Sequence, residues 1–271
     1  MFTNRKTPLV MSSPYLAWAI IFIIVPIGMI LYYGLTDTTG AFTFANIAAI
    51  AQPEHAKSLW LALELSVIST LICFILAYPL ALILARNKMS SEGILTTLII
   101  LPMWMNFLLR TLSWVTLLEN RGVLNSILGA LHLPQLRIIN TPAAIVVGMV
   151  YDFLPFMILP LYNSLAKIDD EVINAAQDLG ANKLQTLWRV ILPLSLPGII
   201  SGVTMVFIPS LTTFAISTMM GGSKILLIGN VIEQEFTLTY DWHLGSGLSL
   251  ILMIFIVINM VVSMISDQKE A

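Results

Sequence analysis

The sequence predicts an all-α integral membrane protein with six transmembrane helices, and three observations carry that expectation. The chain is 58% hydrophobic and only 10% charged, with a mean hydropathy of +0.90. A water-soluble domain of 271 residues needs far more charge on its surface. Several apolar runs approach or exceed the ~20 residues that cross a bilayer as a helix. Lys and Arg also favour alternate connections between those runs, as they do in proteins threaded through a membrane. The whole of 1–271 reads as a single transmembrane domain. A lipid bilayer is the expected environment, and no nucleic-acid partner is expected.

The first span covers about Tyr15 to Leu35, preceded by Arg5 and Lys6. A basic start before an apolar run also fits a cleaved signal peptide. The run is long and no A-x-A-like site closes it, so a retained anchor is the expectation. Thr36 to Lys57 is an outer loop, Ser58 to Leu84 the second span, and Ile94 to Leu118 the third. The semi-polar stretch Glu119 to Thr141 includes VLNSILGALHL, which reads as a short interfacial helix. Pro142 to Leu165 is the fourth span and Leu194 to Met219 the fifth. Gly221 to Leu244 is a second outer loop, and Gly245 to Ile265 is the sixth span.

Orientation follows from the cations. An amino terminus inside the cell puts Arg5, Lys6, Arg86, Lys88, Lys167, Lys183, Arg189 and Lys269 in the cytoplasm. Lys57, Arg121, Arg137 and Lys224 fall outside, so the bias favours this arrangement.

One polar interruption, Lys167 to Pro193, has a clear helical design. Asp169 and Asp170 stand where an N-cap and an acidic first turn belong. Val172, Ala176 and Leu179 recur at helical spacing, and Gly180 is placed to end the helix in a left-handed turn. Asn182 caps a second helix, which Pro193 is expected to close. The pattern Ala175-Ala176, three residues, Gly180, nine residues, Val190-x-Leu192-Pro193 resembles the cytoplasmic signature loop of bacterial ABC importer permeases. That family has Glu-Ala-Ala where this chain has Asn174-Ala175-Ala176. The resemblance implies that 167–193 is a coupling loop contacting a separate ATPase. Glu171, one turn before Asn174, is the candidate to cover the missing Glu.

Ionisable groups inside a span are costly and need a partner or a wet path. Three stand out: Glu64 in the second span, Arg110 in the third and Asp152 in the fourth. Asp152 is ten residues past Pro142, about 15 Å deep. An ion pair of Arg110 with Asp152 or Glu64 and a cargo-facing role for Asp152 are both open. Trp104, Asn106 and Tyr151 lie nearby in sequence or span, and aromatic faces beside a carboxylate suit an elongated organic cation. Prolines recur in the spans, and Pro102 and Pro155 are the two with polar neighbours. Each frees a backbone carbonyl that needs a partner.

The stretches PMWMNFLLR, LPFMILPLYNSLAKID and MGGSKILLIGNVIEQEF look like the B-type permeases of spermidine/putrescine ABC importers. The resemblance implies the type I importer permease fold and a bacterial cell-membrane location. It also implies a second, related permease forming a heterodimer, two ATP-binding subunits and an extracytoplasmic polyamine-binding protein. ATP and Mg would then belong to the partner ATPase, with no cofactor on this chain. Spermidine, putrescine and another organic amine or small solute all fit this reading.

An enzyme is not indicated. There is no P-loop, since GGSK at 221–224 lacks the upstream spacing. His55, His132 and His243 are scattered without zinc-ligand spacing, and Cys73 is the one cysteine. No catalytic residue and no metal ligand is therefore assigned. A gated membrane channel is the reading from a different class, and it has no use for the signature loop.

Overall fold

The computed structural model describes residues 6–86, 97, 99, 101–222 and 224–268. The charges expected at Arg5, Lys88 and Lys269, and the opening of the third span at Ile94, lie outside the described residues. The chain gathers into two compact units, one of Met1–Ala56 with Val231–Phe255, the other of Lys57–Asn230 with Ile256–Ala271.

The first unit contains an apolar span, Ser13–Gly34. Most of its side chains from Tyr15 to Tyr32 are exposed, as suits a helix bathed in lipid. A π turn over Ile20–Ile24 sits just before Pro26. Proline has no N–H and its ring crowds the carbonyl four residues back, and a widened turn accommodates both defects. The last carbonyls of the span are not left bare. Asn46 Nδ2 donates to the Thr36 carbonyl at 2.9 Å, and His243 Nδ1 lies 2.7 Å from the same oxygen. Gly34 lets the chain come close: a Cβ there would stand 3.2 Å from Gly247 N. The expected loop 36–57 contains a short helix, Ala45–Ala48.

The second unit is built around the helix Pro142–Leu165, much of which is buried. The helix Pro53–Arg86 lays a row of small residues, Ala62, Ser66, Ser69, Cys73, Ala77 and Ala81, on its buried side. Ser69 Oγ reaches Met149 Sδ at 3.4 Å and Cys73 Sγ reaches the Val150 carbonyl at 3.7 Å. Small side chains are what let helices approach when lipid is the solvent. The helix Leu196–Thr212 packs on the same central helix. It does so through Gly198 and Gly202, where a Cβ would stand 2.8 Å from the Pro160 carbonyl and 2.7 Å from Met157 Sδ, respectively.

Four described helices are long and apolar enough to cross a membrane: Ser13–Gly34, Pro53–Arg86, Pro142–Leu165 and Trp242–Val261. Lys183–Leu194 with Leu196–Thr212, bent by 67°, makes a fifth if counted as one span. The expected third span is not one helix. A 3-10 turn at Leu101–Trp104 gives way at Met105, and a new helix runs over Phe107–Leu118. Asn106 causes the restart, its side-chain oxygen accepting from Leu108 and Leu109 N–H at 2.9 and 3.2 Å.

The expected fifth span also breaks, with Thr213 extended before the helix Ala215–Met220. Buried Asn230 holds that break. It donates to the Phe214 carbonyl at 3.0 Å and to Thr218 Oγ1 at 2.8 Å, and accepts from Ser217 Oγ and Leu227 N–H. The expected outer loop 221–244 contains the helix Ile228–Thr237.

Candidate functional site

The coupling loop folds as its local chemistry dictates. Asp169 caps the helix Asp170–Asp178, accepting from Glu171 N–H at 3.1 Å. Gly180 ends it with φ +89°, and the Ala181 N–H donates back to the Ala176 carbonyl at 3.1 Å. A Cβ at Gly180 would meet nothing within 4 Å, so backbone conformation alone demands the glycine. Asn182 and Gln185 then form a reciprocal capping box at 2.8 and 2.9 Å.

Pro193 does not close the second helix as expected. A π turn over Leu187–Ile191 precedes it, as one precedes Pro26, and the helix runs on to Leu194 before bending at Ser195. The bend is fastened: Ser195 Oγ lies 3.0 Å from the hydroxyl of Tyr78, both buried.

Several apolar side chains stand out from the loop among polar ones. Leu179 is 90% exposed, and Leu184, Trp188 and Val172 are exposed with it. Glu171, Asn174, Ala175 and Pro193 are exposed too, while Ala176 and Leu192 are half-buried. Exposed apolar side chains rimmed by polar groups mark a place where a protein, a membrane or a ligand is met. Arg86, at the end of the second long helix, reaches the loop. Its Nη1 lies 2.9 Å from Asp170 Oδ1 and 3.3 Å from the Ile168 carbonyl.

The polar residues expected within the membrane separate into two groups. Arg110, Tyr151 and Asp152 come together. Arg110 Nε stands 2.5 Å from Asp152 Oδ1, and neither atom has another hydrogen-bond partner. Thr111 Oγ1 donates to Asp152 Oδ2 at 3.1 Å, and Arg110 Nη1 donates to the Pro102 carbonyl at 2.8 Å. The guanidinium also lies 5.8 Å from the Tyr151 ring centroid, and Trp114 meets Tyr151 edge-on at 5.1 Å. One guanidinium thus ties the central helix to the broken third span and satisfies a carbonyl that the break exposes. Asp152 is 1% exposed, and its two carboxylate oxygens are met by Arg110 and Thr111.

Trp104, Asn106 and Glu64 stand apart from that cluster. Trp104 is 79% exposed, Asn106 is occupied as a helix cap, and Glu64 is exposed on the face of Pro53–Arg86 that carries Trp60 and Leu71. The ion pair that the sequence left open is therefore made with Asp152. Sequence reasoning missed Arg86, Tyr78, Ser195 and Asn230. Their only signal was a polar side chain next to an apolar run, which says nothing about the partner.

A family model described as "binding-protein-dependent transport system inner membrane component" matches residues 77–268. The chain is 37% identical over 256 residues to the spermidine/putrescine transport system permease protein PotB of Haemophilus influenzae, covering 91% of this chain and 89% of that one. It is 39% identical over 246 residues to the PotB of Escherichia coli K12, covering 88% and 89%. Among solved structures, a bacterial ABC transporter that imports the acidic polysaccharide alginate matches with TM-score 0.76 at 18% identity. That match covers 96% of this chain and 93% of the other. The MetNI methionine ABC transporter matches with TM-score 0.58 at 18% identity, covering 79% and 95%. With the broken spans, the loop and its exposed apolar side chains, and the matched 77–268 all in one chain, the protein belongs to the family of binding-protein-dependent transport system inner membrane components.

Proposed function

We propose that the chain is the B-type membrane subunit of an ATP-driven importer of polyamines, spermidine or putrescine, in a bacterial cell membrane. The observation that carries this is the 37–39% identity to PotB permeases across about nine-tenths of the chain. The chain pairs with a second, related permease. The surface around Leu179, Leu184 and Trp188 receives one of two ATP-binding subunits, which supply ATP and Mg. An extracytoplasmic binding protein delivers the amine. The amino terminus lies in the cytoplasm, as the distribution of Lys and Arg supports.

Arg110, Tyr151 and Asp152 belong to the wall of the path in this reading, with Trp104 and Glu64 on surfaces that the partner permease faces. The test is uptake of radiolabelled spermidine and putrescine by proteoliposomes holding the four-subunit membrane complex, with binding protein outside and ATP inside. ATP-dependent accumulation of either amine supports the assignment. ATP hydrolysis stimulated by the binding protein with no accumulation of either amine overturns it.

A further inference from the structure

In the first compact unit, Thr38 and the segment 239–243 border an open cavity of about 610 Å³. Met29, Tyr33, Thr38, Tyr240, Asp241 and Trp242 line it, and all belong to that one unit. Its wall combines ring faces with a carboxylate. The Trp242 ring lies 6.2 Å from that of Tyr33 and 5.6 Å from that of Phe236, and His243 meets Tyr33 edge-on at 5.3 Å. Tyr240 is held there against backbone preference. It has φ 55° where the helix Ile228–Thr237 is closed off, with the next N–H, that of Asp241, donating back to the Glu235 carbonyl at 2.9 Å. Glycine ordinarily takes such a position. A tyrosine persists in that conformation only where the surroundings impose it, and such residues gather at functional sites.

Charge points to the kind of ligand. Segments 36–57 and 231–245 carry Asp37, Glu54, Glu233, Glu235 and Asp241 against the single cation Lys57, so the balance is acidic. Asp37 keeps its charge: the Thr39 hydroxyl, then the backbone N–H groups of Ala41 and Thr39, hold its carboxyl below the usual carboxylate range. His243, the one basic group at the cavity, turns Nδ1 toward the carbonyls of Thr36 and Tyr33 at 2.7 and 3.1 Å. A surface of one sign concentrates counter-ions before any contact is made. An anion is repelled here. A hard metal ion wants several oxygens, and the wall offers one carboxylate. Rings beside one acid suit the diffuse charge of an organic ammonium ion. Aromatic residues at span ends also serve as interfacial anchors, and Tyr240 and Trp242 are 71% and 48% exposed; what sets these rings apart is that they border one open cavity with Thr38 and Asp241.

We propose that this cavity is a receiving site for an organic ammonium ion on the extracytoplasmic side, with Tyr33, Tyr240 and Trp242 as ring faces and Asp241 as counter-charge. The side of the membrane and the identity of the natural amine rest on the polyamine-importer reading; the site itself does not. One acid and ring faces hold the ion loosely enough to release it inward.

The test uses the complete membrane complex in nanodiscs, without binding protein or ATP, and measures binding of radiolabelled spermidine and of radiolabelled tetramethylammonium. Asp241→Asn keeps an oxygen for the Leu244 N–H that Asp241 Oδ1 now accepts at 2.9 Å. Tyr240→Gly relaxes the backbone while removing the ring, so a merely structural role predicts unchanged or firmer behaviour. Trp242→Leu removes the second ring. Binding of both cations is expected to weaken by about 3- to 30-fold in Tyr240→Gly and in Trp242→Leu, the range that cation–π contacts span, and to weaken in Asp241→Asn through loss of the counter-charge. Absence of saturable binding to the unaltered complex, or equal binding in all three variants, overturns the proposal. If tetramethylammonium binding depends on Asp241 while proteoliposomes with the binding protein accumulate no polyamine, the site stands and the polyamine reading falls. If spermidine is accumulated and the three variants bind it as the unaltered complex does, the polyamine reading stands and the site falls.

Discussion

Arg86 Nη1 lies 2.9 Å from Asp170 Oδ1, which ties the last residue of the helix Pro53–Arg86 to the first residue of the loop helix. The two side chains are 24% and 63% exposed, and an ion pair so solvated contributes about 0–1 kcal/mol. Its importance is geometric, since it joins elements 84 residues apart. Arg86→Gln is expected to leave the melting temperature nearly unchanged. Binding-protein-stimulated ATPase activity should fall by up to about fivefold, the equivalent of that energy. The exchange Arg86→Asp with Asp170→Arg should recover it, and 1 M salt should erase the difference between unaltered protein and Arg86→Gln.

Gly180 is constrained by φ +89° and not by neighbours. Gly180→Val is therefore expected to cost about 1–2 kcal/mol of local backbone energy and to re-aim the helix that starts at Lys183. Transport per ATP hydrolysed should drop while membrane insertion persists. Gly180→Asn, which tolerates the left-handed conformation, should be markedly milder. Asn174→Glu, on the exposed face of the first loop helix, is expected to be neutral or to tighten retention of the ATPase on purification.

The Arg110–Asp152 pair makes a sharper contrast. Removing one partner leaves a buried, unpaired charge, at a cost of about 3–5 kcal/mol. Asp152→Asn and Arg110→Gln should each lower the yield of assembled complex in detergent. The double substitution should restore assembly. If spermidine uptake returns with it, the pair is structural; if the assembled double variant fails to transport while its ATPase is stimulated normally, the carboxylate serves the cargo.

Two glycines on one helix should differ in tolerance. A Cβ at Gly198 would press on the Pro160 carbonyl and on Ser164, whereas at Gly202 it meets chiefly the Met157 thioether. Backbone cannot step aside and a methionine can. Gly198→Ala is expected to destabilise the complex by about 1–3 kcal/mol and Gly202→Ala by less. Thermal unfolding of the purified complex compares them directly.

The parts of the fold that were legible in the sequence are those with local causes. Asp169, Gly180 and Asn182 act on N–H and carbonyl groups within a few residues, so their spacing alone predicts both loop helices. The breaks at Asn106 and Thr213 were not legible. Apolar content marks a span whether or not its helix is continuous, and the partner that holds the second break, Asn230, comes from a different helix. Pro193 misled for a related reason. A proline stops an α-helix, but a π turn one step earlier makes room for it, and nothing in LQTLWRVILP announces that turn. In the polar cluster, residue types identified Arg110 and Asp152 as a candidate pair, while the exposure of Trp104 and Glu64 depended on which way the broken span and the long helix turn.

The pairing of Arg110 with Asp152 also bears on the membrane potential. A single charge moved across a bilayer exchanges about 2.3 kcal/mol with each 100 mV. This guanidinium and carboxylate sit 2.5 Å apart and carry opposite signs, so when they shift together the field does almost no net work on them. Through this pair the subunit acts as no voltage sensor. Any response of the subunit to an interior-negative potential then has to come from charges other than these two.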